Sequence, residues 1–267
     1  MSLAVNVEYL DGLLWLLLML GPLLILQRSL HREFQAVFLL ITRRSDISLA
    51  LFSLLFFPGV LLHESSHYVV ARLVGVQTGR FSLLPRVVPA TLGNGRQQRA
   101  SRLQLGYVET APTDWVRDAL IGFAPLFTGG LFVAYAGVVQ LGVAALWASL
   151  VEQGPGGLLD VLHQIYAHPD FWLWFYLIFT VSSTMMPSAS DRRGWLPIIL
   201  GIAVLLAATL IAGAGPWLWE NAAPQLDRIL QAVAMVFGIS VAVHLVLLVP
   251  LWVVRKFLNR LTGLEVV

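Results

Sequence analysis

Residues 48–74 read SLALFSLLFFPGVLLHESSHYVVARLV. The first 15 of them carry no ionisable side chain, and the stretch exceeds the roughly 20 mostly apolar residues that a membrane-spanning helix requires. Within that apolar run fall His63, Glu64 and His67. Ionisable groups at membrane depth are costly and usually serve function. One stretch therefore predicts both a spanning helix and a chemical site inside it.

The rest of the chain follows the same pattern. Of 267 residues, 58% are hydrophobic and only 12% are charged, where a soluble domain carries about 25% charged residues. Six apolar runs are expected to span: 10–26, 48–74, 118–149, 170–187, 195–214 and 229–253. The expected fold class is an all-α polytopic membrane protein with about six transmembrane helices, embedded in the lipid bilayer. With no internal repeat and no polar linker, residues 1–267 are read as one membrane domain. The composition excludes a disordered chain, and no nucleic-acid partner is expected. Cysteine is absent, which rules out disulfides, thiolate ligands and a cysteine nucleophile. Glu8 and Asp11, not a basic region, precede the first apolar run, so that run is expected to be a retained span rather than a cleaved signal.

Two connections stand out. Residues 150–169 contain Glu152 and Asp160 but no Lys or Arg, which suits a non-cytoplasmic loop. Residues 77–117 are polar and hold Arg80, Arg86, Arg96, Arg99, Arg102 and Arg117. In that loop Arg80–Leu84 and Arg102–Val108 alternate as strands do, around a stretch with Pro85, Pro89, Gly93, Asn94 and Gly95. A β-hairpin or small sheet at the membrane surface is predicted over 77–117. The positive-inside rule then places this loop, Arg192-Arg193 and Arg255-Lys256 in the cytoplasm. Six spans would put both termini there, in a cell (inner or cytoplasmic) membrane. Arg28, Arg32, Arg43 and Arg44 disagree, because the same scheme leaves residues 27–47 outside.

On a helix, His63 and His67 share one face, one turn apart. Both imidazoles can reach a single Zn²⁺ at about 2.0–2.1 Å. Glu64 projects about 100° round the helix, where it can hold a water beside the metal without being a ligand. This is the His-Glu-x-x-His arrangement of zinc hydrolases. The competing reading, two histidines bonded to neighbouring helices, leaves three ionisable groups within one and a half turns without a common partner. A catalytic zinc needs a third protein ligand and an open position. The candidates are Asp191, His244, Glu109, Asp114 and Asp118. Asp191 is favoured, since Pro187 ends its helix and leaves an irregular segment able to fold back at membrane depth.

The chain resembles the site-2 protease family of intramembrane zinc metalloproteases. The likeness covers about residues 55–194: His63-Glu64-Ser-Ser-His67 followed by Ala71-Arg72-Leu-Val-Gly75-Val, a strand-rich loop ending Leu105-Gly-Tyr-Val108, the segment Ile121-Gly-Phe-Ala124-Pro125-Leu126-Phe-Thr128, and Thr184-Met-Met-Pro187 with Asp191. The third is similar to the family's Ala-Gly-Pro-Leu-x-Asn segment and the last to its Asn-x-x-Pro…Asp-Gly motif. The resemblance implies a protease-like core over 48–194, comprising the zinc helix 48–74, the loop 77–117 and helices 118–149 and 170–187. Two accessory spans would follow over 195–267. It implies one Zn²⁺ per chain on His63, His67 and Asp191, Glu64 as general base, and Thr128, Thr184, Pro125 and Pro187 as substrate-binding or supporting residues. Thr128 and Thr184 stand where the family has Asn, Ala124 replaces Gly, Arg192 replaces the Gly after the aspartate, and the Pro187–Asp191 spacing is one residue shorter.

The leading expectation is a zinc endopeptidase that cuts a transmembrane protein substrate inside the bilayer, the loop hairpin adding an edge strand to an unwound segment. An inactive membrane scaffold is the runner-up, favoured by the replaced Asn positions. A transporter using the His pair for a moving ion would show paired repeats, and none is visible.

Overall fold

The computed structural model describes residues 11–91, 97–153, 163 and 165–264. Its elements in order are α1 (Asp11–Thr42), α2 (Ser45–Leu73), β1 (Thr78–Ser82), β2 (Arg86–Thr91), β3 (Gln97–Gln104), β4 (Tyr107–Thr110), α3 (Trp115–Ala134) with a π-helical continuation (Tyr135–Gln140), α4 (Val143–Gln153), α5 (Phe171–Thr184), α6 (Trp195–Ile211), α7 (Gly215–Asn221) and α8 (Ala223–Thr262). The expected turn residues Gly93, Asn94 and Gly95, and Asp160 of the 150–169 connection, lie outside the described residues.

Among the described residues, four helices are long and apolar enough to cross a membrane: α1, α2, α3 with its π-helical continuation, and α8. The pair α6–α7, bent by 116°, would make a fifth if counted as one span. This corrects the expectation of six. The run over 170–187 forms a helix of only 14 residues, about 21 Å long at 1.5 Å per residue, against about 30 Å of hydrocarbon. The run over 118–149 is not one helix either, since the chain breaks at Gly142 (φ +64°) before α4.

The first span was also expected to end near Leu26, yet α1 continues for 32 residues to Thr42. Residues 27–47 are therefore no loop. Only Arg43 and Arg44 separate α1 from α2, and Arg43 takes the left-handed conformation (φ 53°) that so tight a reversal requires. Polar residues 27–35 misled the hydropathy reading because Leu30 is fully buried among them and His31 packs edge-on against Phe52 and Phe56.

Helices α1 and α8 pack together along much of their length and run in the same direction. The Gly12 amide donates to Asp227 Oδ1 (2.6 Å), Met19 faces Gly238, and Glu33 pairs with Arg255. If each crosses a bilayer once, their starts share one side and their ends the other. The expectation of both termini in the cytoplasm assumed six crossings, where four or five spans are long and apolar enough among the described residues. The same pairing brings Arg28, Arg32, Arg43 and Arg44 to the end where α8 carries Arg255, Lys256 and Arg260, so the discordant arginines of α1 join a basic end.

The central group is α2, α3 and α5. Tyr176 Oη donates to the Leu55 carbonyl (2.9 Å) and His63 meets the Thr184 carbonyl, so α5 runs parallel to α2. Helix α3 runs antiparallel to both. Phe56, Ile178, Met185 and Val133 fill the space between them. The expected hairpin in the 77–117 loop becomes two antiparallel two-stranded sheets, β1–β4 and β2–β3. The strand foreseen over Arg102–Val108 is broken at Leu105-Gly106. A side chain at position 106 would meet Glu64 Cγ at 2.8 Å, and this close approach lays the break against α2.

Candidate metal centre

His63, Glu64 and His67 lie in the last third of α2, and Asp191 lies in the segment between α5 and α6. His63 Nε2 and His67 Nε2 are 3.2 Å apart. Asp191 Oδ1 is 3.6 Å from His67 Nε2, and Oδ2 is 3.9 Å from His63 Nε2. The three ligand atoms of His63, His67 and Asp191 fall within 4.8 Å of one another. A tetrahedral zinc with bonds of about 2.0–2.1 Å separates its ligand atoms by about 3.3 Å, close to what is found.

The hydrogen bonds behind the ligands fix their tautomers. His63 Nδ1 faces the Thr184 carbonyl at 2.7 Å and His67 Nδ1 faces the Ile121 carbonyl at 2.8 Å. A carbonyl only accepts, so both Nδ1 atoms donate, which leaves the two Nε2 atoms turned to the centre. Two imidazole nitrogens and a carboxylate then converge on one point, a donor set that could hold a metal ion. Backbone-anchored imidazoles of this kind are what metal-ligating histidines need.

The sequence supplies those carbonyls in a specific way. In a helix the Ile121 carbonyl would accept from the amide of residue 125, but Pro125 has no N–H. The acceptor is left open and His67 takes it. Pro187 likewise cannot serve the Ser183 carbonyl, to which Gln27 Nε2 donates instead. The Thr184 carbonyl belongs to the last turn of α5, whose acceptors have no partner within the helix. Pro125 thus leaves an acceptor open for His67, while Pro187 lies beyond the end of α5 and makes no such contribution to the ligands.

Asp191 is held by its own segment, where Ser188 N donates to Oδ2 at 2.7 Å and Arg192 Nε donates to the Ser188 carbonyl at 3.2 Å. The segment lies directly on α3: a Cβ at Gly122 would collide with the Asp191 carbonyl. Glu64 is buried, 8% exposed, and no hydrogen bond joins its carboxyl group to the protein among the described residues. It shares with His63, His67, Asp191 and Thr184 the wall of a cavity of about 430 Å³. Residues Leu105–Val108, between and within the strands, form another part of that wall.

The other expected residues divide. Thr184 lines the cavity, but its hydroxyl donates to the Thr180 carbonyl (3.0 Å) and its contribution to the site is its own carbonyl. Thr128 is not in the wall, and its hydroxyl donates to the Ala124 carbonyl at 3.0 Å. Asp118 lines the cavity outside the ligand group. Glu109 accepts from the Arg80 amide (3.3 Å). Asp114 caps α3, and the hydrogen bond from the Arg117 amide is the main cause holding its carboxyl below the usual range. His244 is fully buried between Ser183 Oγ (3.0 Å) and the Ser240 carbonyl (2.7 Å), away from the ligand group. The sequence reading missed two residues of α1. Gln27 braces Ser183, and His31 lines the cavity. Both fall in the connection expected between the first two spans, and the continuation of α1 past Leu26 is what brings them to the site.

In comparisons with known proteins, no family model, no curated protein and no solved structure matches this chain.

Proposed function

We propose that this chain is an integral membrane zinc metalloprotease of the site-2 protease type, acting on a peptide bond in or near a transmembrane helix of another protein. The observation that carries the reading is the convergence of His63 Nε2, His67 Nε2 and the Asp191 carboxylate, with Glu64 beside them in one cavity. Those three residues would hold one Zn²⁺, which when bound acidifies a water and polarises a carbonyl. Glu64 takes the proton of the attacking water and returns it to the leaving amine. Its lack of a protein partner leaves the carboxylate free for that exchange. The break at Leu105-Gly106 leaves backbone at the cavity wall, where an unwound segment of substrate can lie beside β4. The basic ends of α1 and α8 are assigned to the cytoplasmic side of a cell membrane, which puts the 77–117 loop, at the far end of α2, on the side opposite to the one expected from its arginines.

One observation favours a second reading, an inactive metal-binding scaffold: the hydroxyls of Thr128 and Thr184 are spent on their own helices. Glu64→Gln separates the two. The substitution keeps the shape and removes the base, so zinc content should stay at one per chain. Processing of tagged single-span membrane proteins should fall by the ~10²–10⁴-fold typical of lost acid–base catalysis. If wild type and Glu64→Gln treat every substrate alike, the scaffold reading stands and the protease reading fails.

A further inference from the structure

Helices α1 and α8 enclose a second cavity, of about 540 Å³, which shares no wall residue with the metal cavity. Arg32, Ser29 and the Glu33–Arg255 ion pair form its polar side, while Val249 and Trp252, both exposed, belong to its apolar side. Glu33 offsets the charge of Arg255. Arg32 is exposed, and no hydrogen bond or ion pair joins it to the protein among the described residues, so the cavity keeps one positive charge in excess. Two observations fix its height along the helices. No Asp, Glu, Lys or Arg occurs over residues 12–27 of α1 or 229–254 of α8, and both charge-free stretches end at this cavity. From the Gly12–Asp227 contact to Glu33, α1 rises about 32 Å at 1.5 Å per residue, close to the ~30 Å of bilayer hydrocarbon. A bilayer that holds both stretches puts the cavity level with its headgroups, with Val249 and Trp252 on the hydrocarbon side of Arg255.

We propose that this cavity binds one anionic phospholipid, its phosphate against Arg32 and Ser29 and an acyl chain along Val249 and Trp252. A guanidinium matches phosphate oxygens with paired N–H donors, and a serine hydroxyl can donate a further bond. The polar side alone would accept a dissolved phosphate, but the apolar side beside it serves only a ligand with a hydrocarbon tail. A lipid without net charge brings its own cation to a cavity that already has one in excess. The bound lipid would bridge α1 and α8 near the end of their pairing. The site is independent of the protease reading, since it uses none of the groups around the metal.

The probes are phosphatidylglycerol and phosphatidylcholine with identical acyl chains, titrated into the detergent-purified full chain and counted by native mass spectrometry. Wild type should bind one phosphatidylglycerol about tenfold more tightly than phosphatidylcholine. Arg32→Gln breaks no hydrogen bond or ion pair, so it should keep the lipid-free thermal midpoint. Its phosphatidylglycerol affinity should fall about tenfold, the scale of a hydrogen bond to a charged group. Val249→Trp crowds the apolar side, leaves every charge in place, and should lose the lipid by a similar factor. Arg260→Gln removes the same charge from the same end of α8 but outside the cavity wall. It should stay within about threefold of wild type in physiological salt, which screens exposed charges. Equal affinity for the two lipids, or full binding by either cavity variant, would overturn the proposal. So would the same loss in Arg260→Gln as in Arg32→Gln, which would reduce the effect to diffuse surface charge. Displacement of the lipid by inorganic phosphate at equal concentration would make this a free-anion site and overturn it as well.

Discussion

At the scale of single residues, the histidine spacing was legible because a helix puts positions four apart on one face, whatever surrounds them. The third ligand was harder to read, since 120 and more residues separate Asp191 from the pair and only the segment after Pro187 brings it back. Asp191→Ala should lower zinc affinity by more than the ~10–100-fold typical of losing a residue behind the ligands, as metal analysis of the purified protein would register. Affinity equal to wild type would exclude it as a ligand. Pro125 offers a sharper test, because two effects pull in opposite directions. Pro125→Ala restores an amide to α3, which by propensity favours the helix by up to about 3 kcal/mol. The same amide competes with His67 for the Ile121 carbonyl. A protein that melts higher yet holds zinc about tenfold more weakly is the expected outcome. A rise in both, or a fall in both, would mean that the carbonyl is not what orients His67.

At the scale of elements, what the sequence hid was contact between backbones. Hydropathy found the apolar runs, but it could not tell a helix long enough to cross from the 14 residues of α5, nor see that polar positions 27–35 lie within a helix. Those features are set by which face meets a neighbour, and a single sequence does not state its neighbours. Gly122 shows the point. Read alone it is a weak residue in a helix, yet α3 and the Asp191 segment touch there without room for a methyl group. Gly122→Ala should displace that segment and abolish high-affinity zinc binding while leaving the helical content measured by circular dichroism intact. Gly130→Ala, on the same helix with nothing within 4 Å of the added carbon, should keep the zinc and gain up to about 1 kcal/mol of helix propensity. Identical behaviour of the two variants would show that close packing at Gly122 does not build the site.

At the scale of the whole molecule, the parallel pairing of α1 and α8 makes a prediction about topology. The native chain has no cysteine, so single cysteines report cleanly. Cysteines placed at Ser45 and Leu264 should be labelled from one side, and one at Asn221 from the other; labelling of all three from the same side would contradict the pairing. The loop arginines alone could not settle this, because a charge count says which end is basic but not how many times the chain crosses before reaching it. The pairing also has a meaning in time. The amide of Gly12 is capped by Asp227, 215 residues later, and synthesis at ~5–20 residues per second puts about 10–40 s between the two. Throughout that interval α1 is held only by its contacts with α2 and, once made, α5, without the helix that covers its other face. His63, Glu64, His67 and Asp191 have all been synthesised by then. The last helix to be made therefore completes the packing around α1 only after every residue of the candidate metal centre has been synthesised.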